Sequence, residues 1–294
     1  MDYLGICEIV NGVLGIFCTS IIIFLTVKHR VKLRTRSVYC ILNIVVINLL
    51  MSLSRLNLLY HLVISLSSIL YKIAKIISIL IAIADFNIVG VSIINNWYTT
   101  RNNFQNYHKR VDKLFLSVAW IISFVILIPK IIFIWLNAPI NGEFFYSGNE
   151  TNSGFTIFYL IFIFAFMLIL PVILIVFANR QMKYIEKLSN NIPLEQGVSL
   201  ENEASETSNM LRKSKQSMKL FIWLLYSFMI CYFPTVLILL ILGLFFSMEV
   251  FIFLCVLLIS SHSTVNAMII LLYYWRYIKV FDKSTINSAS HDPV

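Results

Sequence analysis

The chain has 294 residues, 59% of them hydrophobic and 13% charged, with a mean hydropathy of +0.85 and a formal net charge of +9. A water-soluble domain carries about 25% charged residues, so composition excludes a soluble globular protein. The positive charge follows the layout of the loops and does not point to nucleic acid.

Seven runs have the roughly 20 apolar residues needed to cross a bilayer. They lie near 7–27, 38–64, 68–98, 114–137, 155–179, 219–246 and 248–275. Nothing positive precedes the first run and no small-residue cleavage site follows it, so it is expected to serve as its own insertion signal. A basic loop follows, with Lys28, Arg30, Lys32, Arg34 and Arg36.

The second segment carries Asn43 and Asn48 inside its apolar part. A spacing of five turns them roughly 140° apart on a helix, so each amide needs its own partner. That predicts a helix surrounded by other helices. Arg55 projects from the outer half of this segment, where it can hold a ligand anion or pair with Glu8 or Glu143. The boundary with the third segment falls near Ser65 to Ser68.

The third segment places Asp85 deep in the membrane, about 13 residues or roughly 20 Å from Tyr98 at 1.5 Å per residue. It ends in "SIINNWYTT" (92–100), and Arg101, Lys109, Arg110 and Lys113 follow. The fourth segment contains Trp120. After it comes the polar stretch "NGEFFYSGNETNSG" (141–154), in which Asn149-Glu150-Thr151 is an N-glycosylation sequon. The fifth offers Phe155, Phe158 and Tyr159 as aromatic lining, with Pro171 further on.

Residues 188–210 are polar, acidic and poor in apolar residues, which predicts a flexible loop. The sixth segment contains "FMICYFP" (228–234), and a tight hairpin at Ser247–Glu249 leads to the seventh. There His262 lies about 13 residues from Trp275, at the level of Asp85, with Asn266 one turn away. The pattern "WRYIKVFDK" (275–283) alternates apolar and basic residues, as expected of a short amphipathic helix on the inner leaflet. Residues 1–283 thus form one membrane domain and 284–294 a short tail.

Lysine and arginine set the orientation. Nineteen of the 23 fall in the loops after segments one, three and five or after segment seven, whereas Lys72, Lys75 and Lys130 mark the other side. The positive-inside rule then puts the N-terminus outside and the C-terminus in the cytosol of a multi-pass protein, with the plasma membrane as the expected location. Of the five cysteines, Cys7 stands at the edge of the first apolar run and the other four fall inside the runs, and all read as small buried hydrophobes. No Cys/His spacing suggests a metal, no Gly-rich loop a phosphate, and no Ser/His/Asp set a nucleophile. An enzyme is not expected.

Several of these stretches together resemble the rhodopsin-like (class A) G-protein-coupled receptors. "KLRT" with "LNIVVINLL" is similar to the start of that family's second helix, where Asn43 stands for the Asn that bonds the fourth helix's Trp, here Trp120. Asn48 occupies the place of the family's Asp. "FMICYFP" resembles FxxCWxP, with Phe228, Tyr232 at the toggle Trp, and Pro234. "HSTVNAMIILLYYWRY" resembles NSxxNPxIY, keeping Asn266 but with Ala267 for Pro and Ile270 for Tyr. Residues 86–93 are also similar to the third helix of melatonin receptors. The resemblance implies an all-α bundle of seven transmembrane helices that signals to a heterotrimeric G protein.

The departures are specific. In place of DRY the chain has "SIINNWYTT", and either Asn95 or Asn96 takes the position of the Arg. The family's sodium site uses the helix-two Asp with polar groups on helices three and seven, so the acid has moved here to Asp85. With Asn48, His262 and Asn266 it forms a buried polar set that holds a sodium ion, an Asp–His pair, or a protonated acid within the core. An intramembrane acid is costly and suggests function by default.

The pocket residues implied are Arg55, Phe158, Tyr159 and Tyr232. No acid lies between Ile73 and Leu80, which disfavours a small cationic amine as the extracellular ligand. Arg101, Arg212, Lys213 and Lys215 form a basic face suited to a G protein. Two readings follow: a receptor with atypical switch motifs, or a signalling-deficient seven-helix glycoprotein acting as decoy or receptor partner. A transporter fits less well, because the halves show no inverted repeat.

Overall fold

The computed structural model describes residues 3–28, 38–55, 68–101, 109–137, 165–190, 198–245, 257–259 and 261–276. They form α1 (Tyr3–Lys28), α2 (Val38–Arg55), α3 (Ser68–Arg101), α4 (Lys109–Asn137), α5 (Leu170–Asn190), α6 (Val198–Phe245) and α7 (Leu257–Arg276). By length and composition the spans Ile9–Lys28, Ile79–Arg101, Ser208–Pro234 and Leu257–Arg276 can cross a membrane, and Tyr39–Leu53 and Lys113–Pro129 are shorter apolar stretches. Helices are the natural solution here, because each satisfies its backbone polar groups within itself where no water can do so.

A π-helical turn, Ala165–Ile169, leads into α5. Its cause is local: Pro171 has no N–H to give to the carbonyl one turn back, and the wider turn accommodates the missing bond. Pro129 and Pro234 interrupt the hydrogen-bond ladders of α4 and α6 in the same way.

The outer faces are apolar like the core, and a few polar side chains are buried within it. Phe17, Phe24, Ile121, Val125, Trp223, Ile230 and Leu272 are exposed on the outer faces. Asn48, Asp85, Asn87, Asn95, His262 and Asn266 are buried inside. Lipid makes this arrangement favourable, since polar groups can find partners only within the bundle. α3 is the central helix and meets α2, α4, α5 and α6.

α1, α2 and α7 meet at Gly15. A Cβ there would overlap the Ser52 hydroxyl and come within 3.0 Å of Ser52 Cβ and 3.3 Å of Thr264 Oγ1. The Ser52 hydroxyl donates to Ser263 at 3.4 Å, and Thr264 Oγ1 donates to the Asn11 carbonyl at 2.8 Å. Small residues and hydroxyls therefore let these three backbones approach.

Two expectations change. The segment 188–210, expected as a flexible loop, is helical from Val198 onward, and α5 itself runs to Asn190. Its Glu, Ala, Met and Leu residues are strong helix formers, and extending an anchored helix avoids the cost of nucleating a new one. Nor does Asn43 bond Trp120. Its amide donates to the Tyr39 carbonyl at 2.9 Å on its own helix, because α2 packs chiefly on α1 and α3. α3 reaches α4 instead through Asn87, whose amide donates to Ser123 Oγ at 2.7 Å. The amphipathic helix expected at 275–283 lies, beyond Arg276, outside the described residues.

Candidate functional site

Asp85, His262 and Asn266 come together in the middle of the bundle, each about 1% exposed. Asn266 Nδ2 donates to Asp85 Oδ2 at 3.0 Å and lies 3.2 Å from His262 Nε2. His262 Nδ1 is 3.8 Å from the same Asp85 oxygen. Asp85 Oδ1 and Asn266 Oδ1 have no hydrogen-bond partner. One turn on α7 separates His262 from Asn266, so a single helix face presents both to α3. Asn48 is fully buried, but neither of its amide atoms is bonded. It is therefore the one member of the expected set that the structure leaves out of the network.

A chain of rings continues from this cluster into α6. Phe228 stacks on Tyr232 with centroids 4.5 Å apart and 25° between planes. His262 meets Tyr232 at 4.9 Å and Phe228 at 5.7 Å, both edge to face. Phe86 closes the chain from α3, at 4.7 Å from Phe228 and 5.2 Å from Phe166. Tyr232 lies within this stack, two residues before the half-buried Pro234, where α6 lacks a backbone bond.

At the basic end of the bundle α3 and α6 are clasped by neutral groups. Asn96 Nδ2 donates to the Ser214 carbonyl at 3.1 Å, and the Ser214 hydroxyl donates to Asn96 Oδ1. Thr100 Oγ1 lies 3.1 Å from Ser214 Oγ and donates to the Asn96 carbonyl at 2.8 Å. Asn96 is therefore the asparagine of the pair whose side chain reaches α6 in these bonds. Asn95 is buried, and its carbonyl accepts from Thr99 at 2.7 Å.

Around the clasp, Arg101 and Arg212 are exposed and Lys213 and Lys215 half-buried. The Arg101 guanidinium lies 5.5 Å over the Trp97 ring. Lys215 pairs with Glu186 of α5 at 2.5 Å, and its hydrogen bond and charge hold the Glu186 carboxyl below its ordinary value. That contact therefore adds stability above the ordinary glutamate range and loses it as pH falls through the lowered value. Glu186 is exposed, so solvent keeps the contribution small.

A family model described as "7 transmembrane receptor (rhodopsin family)" matches residues 19–270. The chain belongs to the rhodopsin family of seven-transmembrane receptors. No curated protein matches it closely. The receptor is thus an all-α, multi-pass membrane protein with a seven-helix bundle, of a family that serves signal transduction.

Within this receptor the matched span includes the buried cluster, the ring stack and the clasp. The Arg55 side chain, Phe158, Tyr159 and Asn149 lie outside the described residues. Ser214 and Thr100 were not singled out by the sequence, nor were Asn87 and Ser123. A small hydroxyl residue on a helix is common and usually bonds its own preceding turn. Only the facing helix shows which of them bridges.

Proposed function

We propose that the protein is a receptor that passes a ligand-induced or constitutive signal to a heterotrimeric G protein, with its N-terminus outside the cell. The observation that carries this reading is the Asn96–Ser214–Thr100 clasp between α3 and α6 at the basic end. In the family the third-helix Arg pairs with a neighbouring acid at rest and reaches into the transducer when active. Here an amide and two hydroxyls hold the same two helices without charge. Opening this contact would uncover a cleft ringed by Arg101, Arg212 and Lys213, complementary to acidic elements of a partner.

The test is guanine-nucleotide exchange on a panel of heterotrimeric G proteins, using membranes with and without the chain. Exchange above the empty-membrane rate, in at least one G protein, is the expected result. If neither the native chain nor Asn96→Ala drives exchange on any of them, the decoy or receptor-partner reading replaces this one.

The orientation has its own check. Peptide:N-glycosidase should shift the electrophoretic mobility of the native chain but leave Asn149→Gln unchanged. A tag inserted between residues 191 and 197 should be reached only after the cells are permeabilised. Labelling of that tag on intact cells would overturn the topology.

A further inference from the structure

We propose that Asp85, His262 and Asn266 form a proton-binding site that replaces the family's sodium site. Asp85 Oδ2, the carboxylate oxygen that faces α7, does not suit a sodium ion. A hard cation needs several oxygen ligands around it. The acid expected on α2 is Asn48, a neutral amide. The carboxylate that has moved to α3 turns Oδ2 toward the Asn266 N–H at 3.0 Å and the His262 ring at 3.8 Å. A cation bound to that oxygen would meet hydrogens where it needs lone pairs.

The hydrogen-bond directions assign the proton. With Asn266 Nδ2 donating to His262 Nε2, that nitrogen is an acceptor, so the imidazole is neutral and carries its hydrogen on Nδ1. A neutral imidazole cannot balance an anionic Asp85. The surrounding groups cannot either: α6 presents Phe228 and the phenol of Tyr232 to His262. α2 offers the Ser52 hydroxyl beside Ser263. The buried described residues include no Lys, Arg or Glu, and their other titratable groups are cysteines and tyrosines, neutral near physiological pH. One proton on the carboxyl makes the pair neutral, and Oδ1, the oxygen without a donor, is where it belongs. Losing that proton would bury a lone anion, and gaining another would bury a lone cation on the imidazole. The site is therefore placed so that its protonation is felt next to the break at Pro234. It does not depend on whether a G protein couples.

Loss of this proton would leave a buried carboxylate without a countercharge, so stability should fall as pH rises. The experiment uses the full chain in lipid nanodiscs. Its infrared spectrum at neutral pH should contain the carbonyl stretch of a protonated carboxylic acid, lost in Asp85→Asn and lost in the native chain on raising the pH. Its unfolding midpoint should fall with rising pH equally in sodium chloride and in choline chloride, and the fall should shrink in Asp85→Asn. Asp85→Glu covers the case in which the amide variant fails to fold, because its carbonyl band must persist and stay pH-sensitive. A native midpoint raised by sodium over choline at constant pH, or a spectrum without an Asp85-dependent carbonyl band, would overturn the proposal.

Discussion

Gly15→Val should be among the most damaging single substitutions in the bundle. Even the first carbon of the new side chain would overlap the Ser52 hydroxyl and press on Ser52 Cβ and Thr264 Oγ1. Those atoms belong to α2 and α7, which are joined by the Ser52–Ser263 contact and tied to α1 by the Thr264–Asn11 bond. Overpacking of this kind costs about 1–3 kcal/mol, and each hydrogen bond pushed apart adds roughly 0.5–1.5 kcal/mol. The unfolding midpoint in nanodiscs should fall by several degrees. Phe17→Ala, two residues away on an exposed face, should change it far less, since its ring loses lipid contact in place of a packed neighbour. Gly15→Ala combined with Ser52→Gly removes the clashing atoms and should recover most of what Gly15→Ala alone loses. Equal midpoints for Gly15→Val and the native chain would mean that the three helices do not depend on this close approach.

The sequence carried the bundle in its coarse terms because membrane constraints act on whole segments. About 20 apolar residues, basic loops on one side and a few buried amides are legible without knowing any contact. Helix ends were less so. The run from Val198 to Met210 looked like a loop because its composition is polar. Composition cannot tell a solvated loop from a solvated extension of a membrane helix.

The site was legible where chemistry is rare. A lone acid and a lone histidine at matching depth on two helices have few other reasons to be there, and Asp85 and His262 do meet. Asn43 and Asn48 misled for the opposite reason. An amide can be satisfied by its own helix, as Asn43 is at Tyr39, so its presence does not name a neighbour. Registers of one residue, such as Asn95 against Asn96, turn a side chain by roughly 100°. Only the position of α6 separates them.

That register leads to the second large effect. Asn96→Arg should raise basal nucleotide exchange above the native chain and above Asn96→Ala. Both substitutions remove the amide that donates to the Ser214 carbonyl and accepts from its hydroxyl. Two such bonds are worth about 1–3 kcal/mol together. A change of that size moves a closed-to-open balance by roughly 5- to 150-fold. Alanine only unfastens α6. Arginine also adds a fixed charge and a five-donor fork at the cleft, which an amide cannot supply. Asn95→Arg differs from both, because it leaves the clasp whole and forces a guanidinium into a buried position on α3. It should lower the amount of folded receptor without raising exchange per molecule. Ser214→Ala gives an independent check: it removes the hydroxyl bonds to Asn96 and Thr100 but leaves the backbone carbonyl, two bonds lost as in Asn96→Ala, so its exchange rate should rise to about that of Asn96→Ala. If Asn95→Arg activates and Asn96→Arg does not, the third-helix switch lies one residue earlier than the clasp implies.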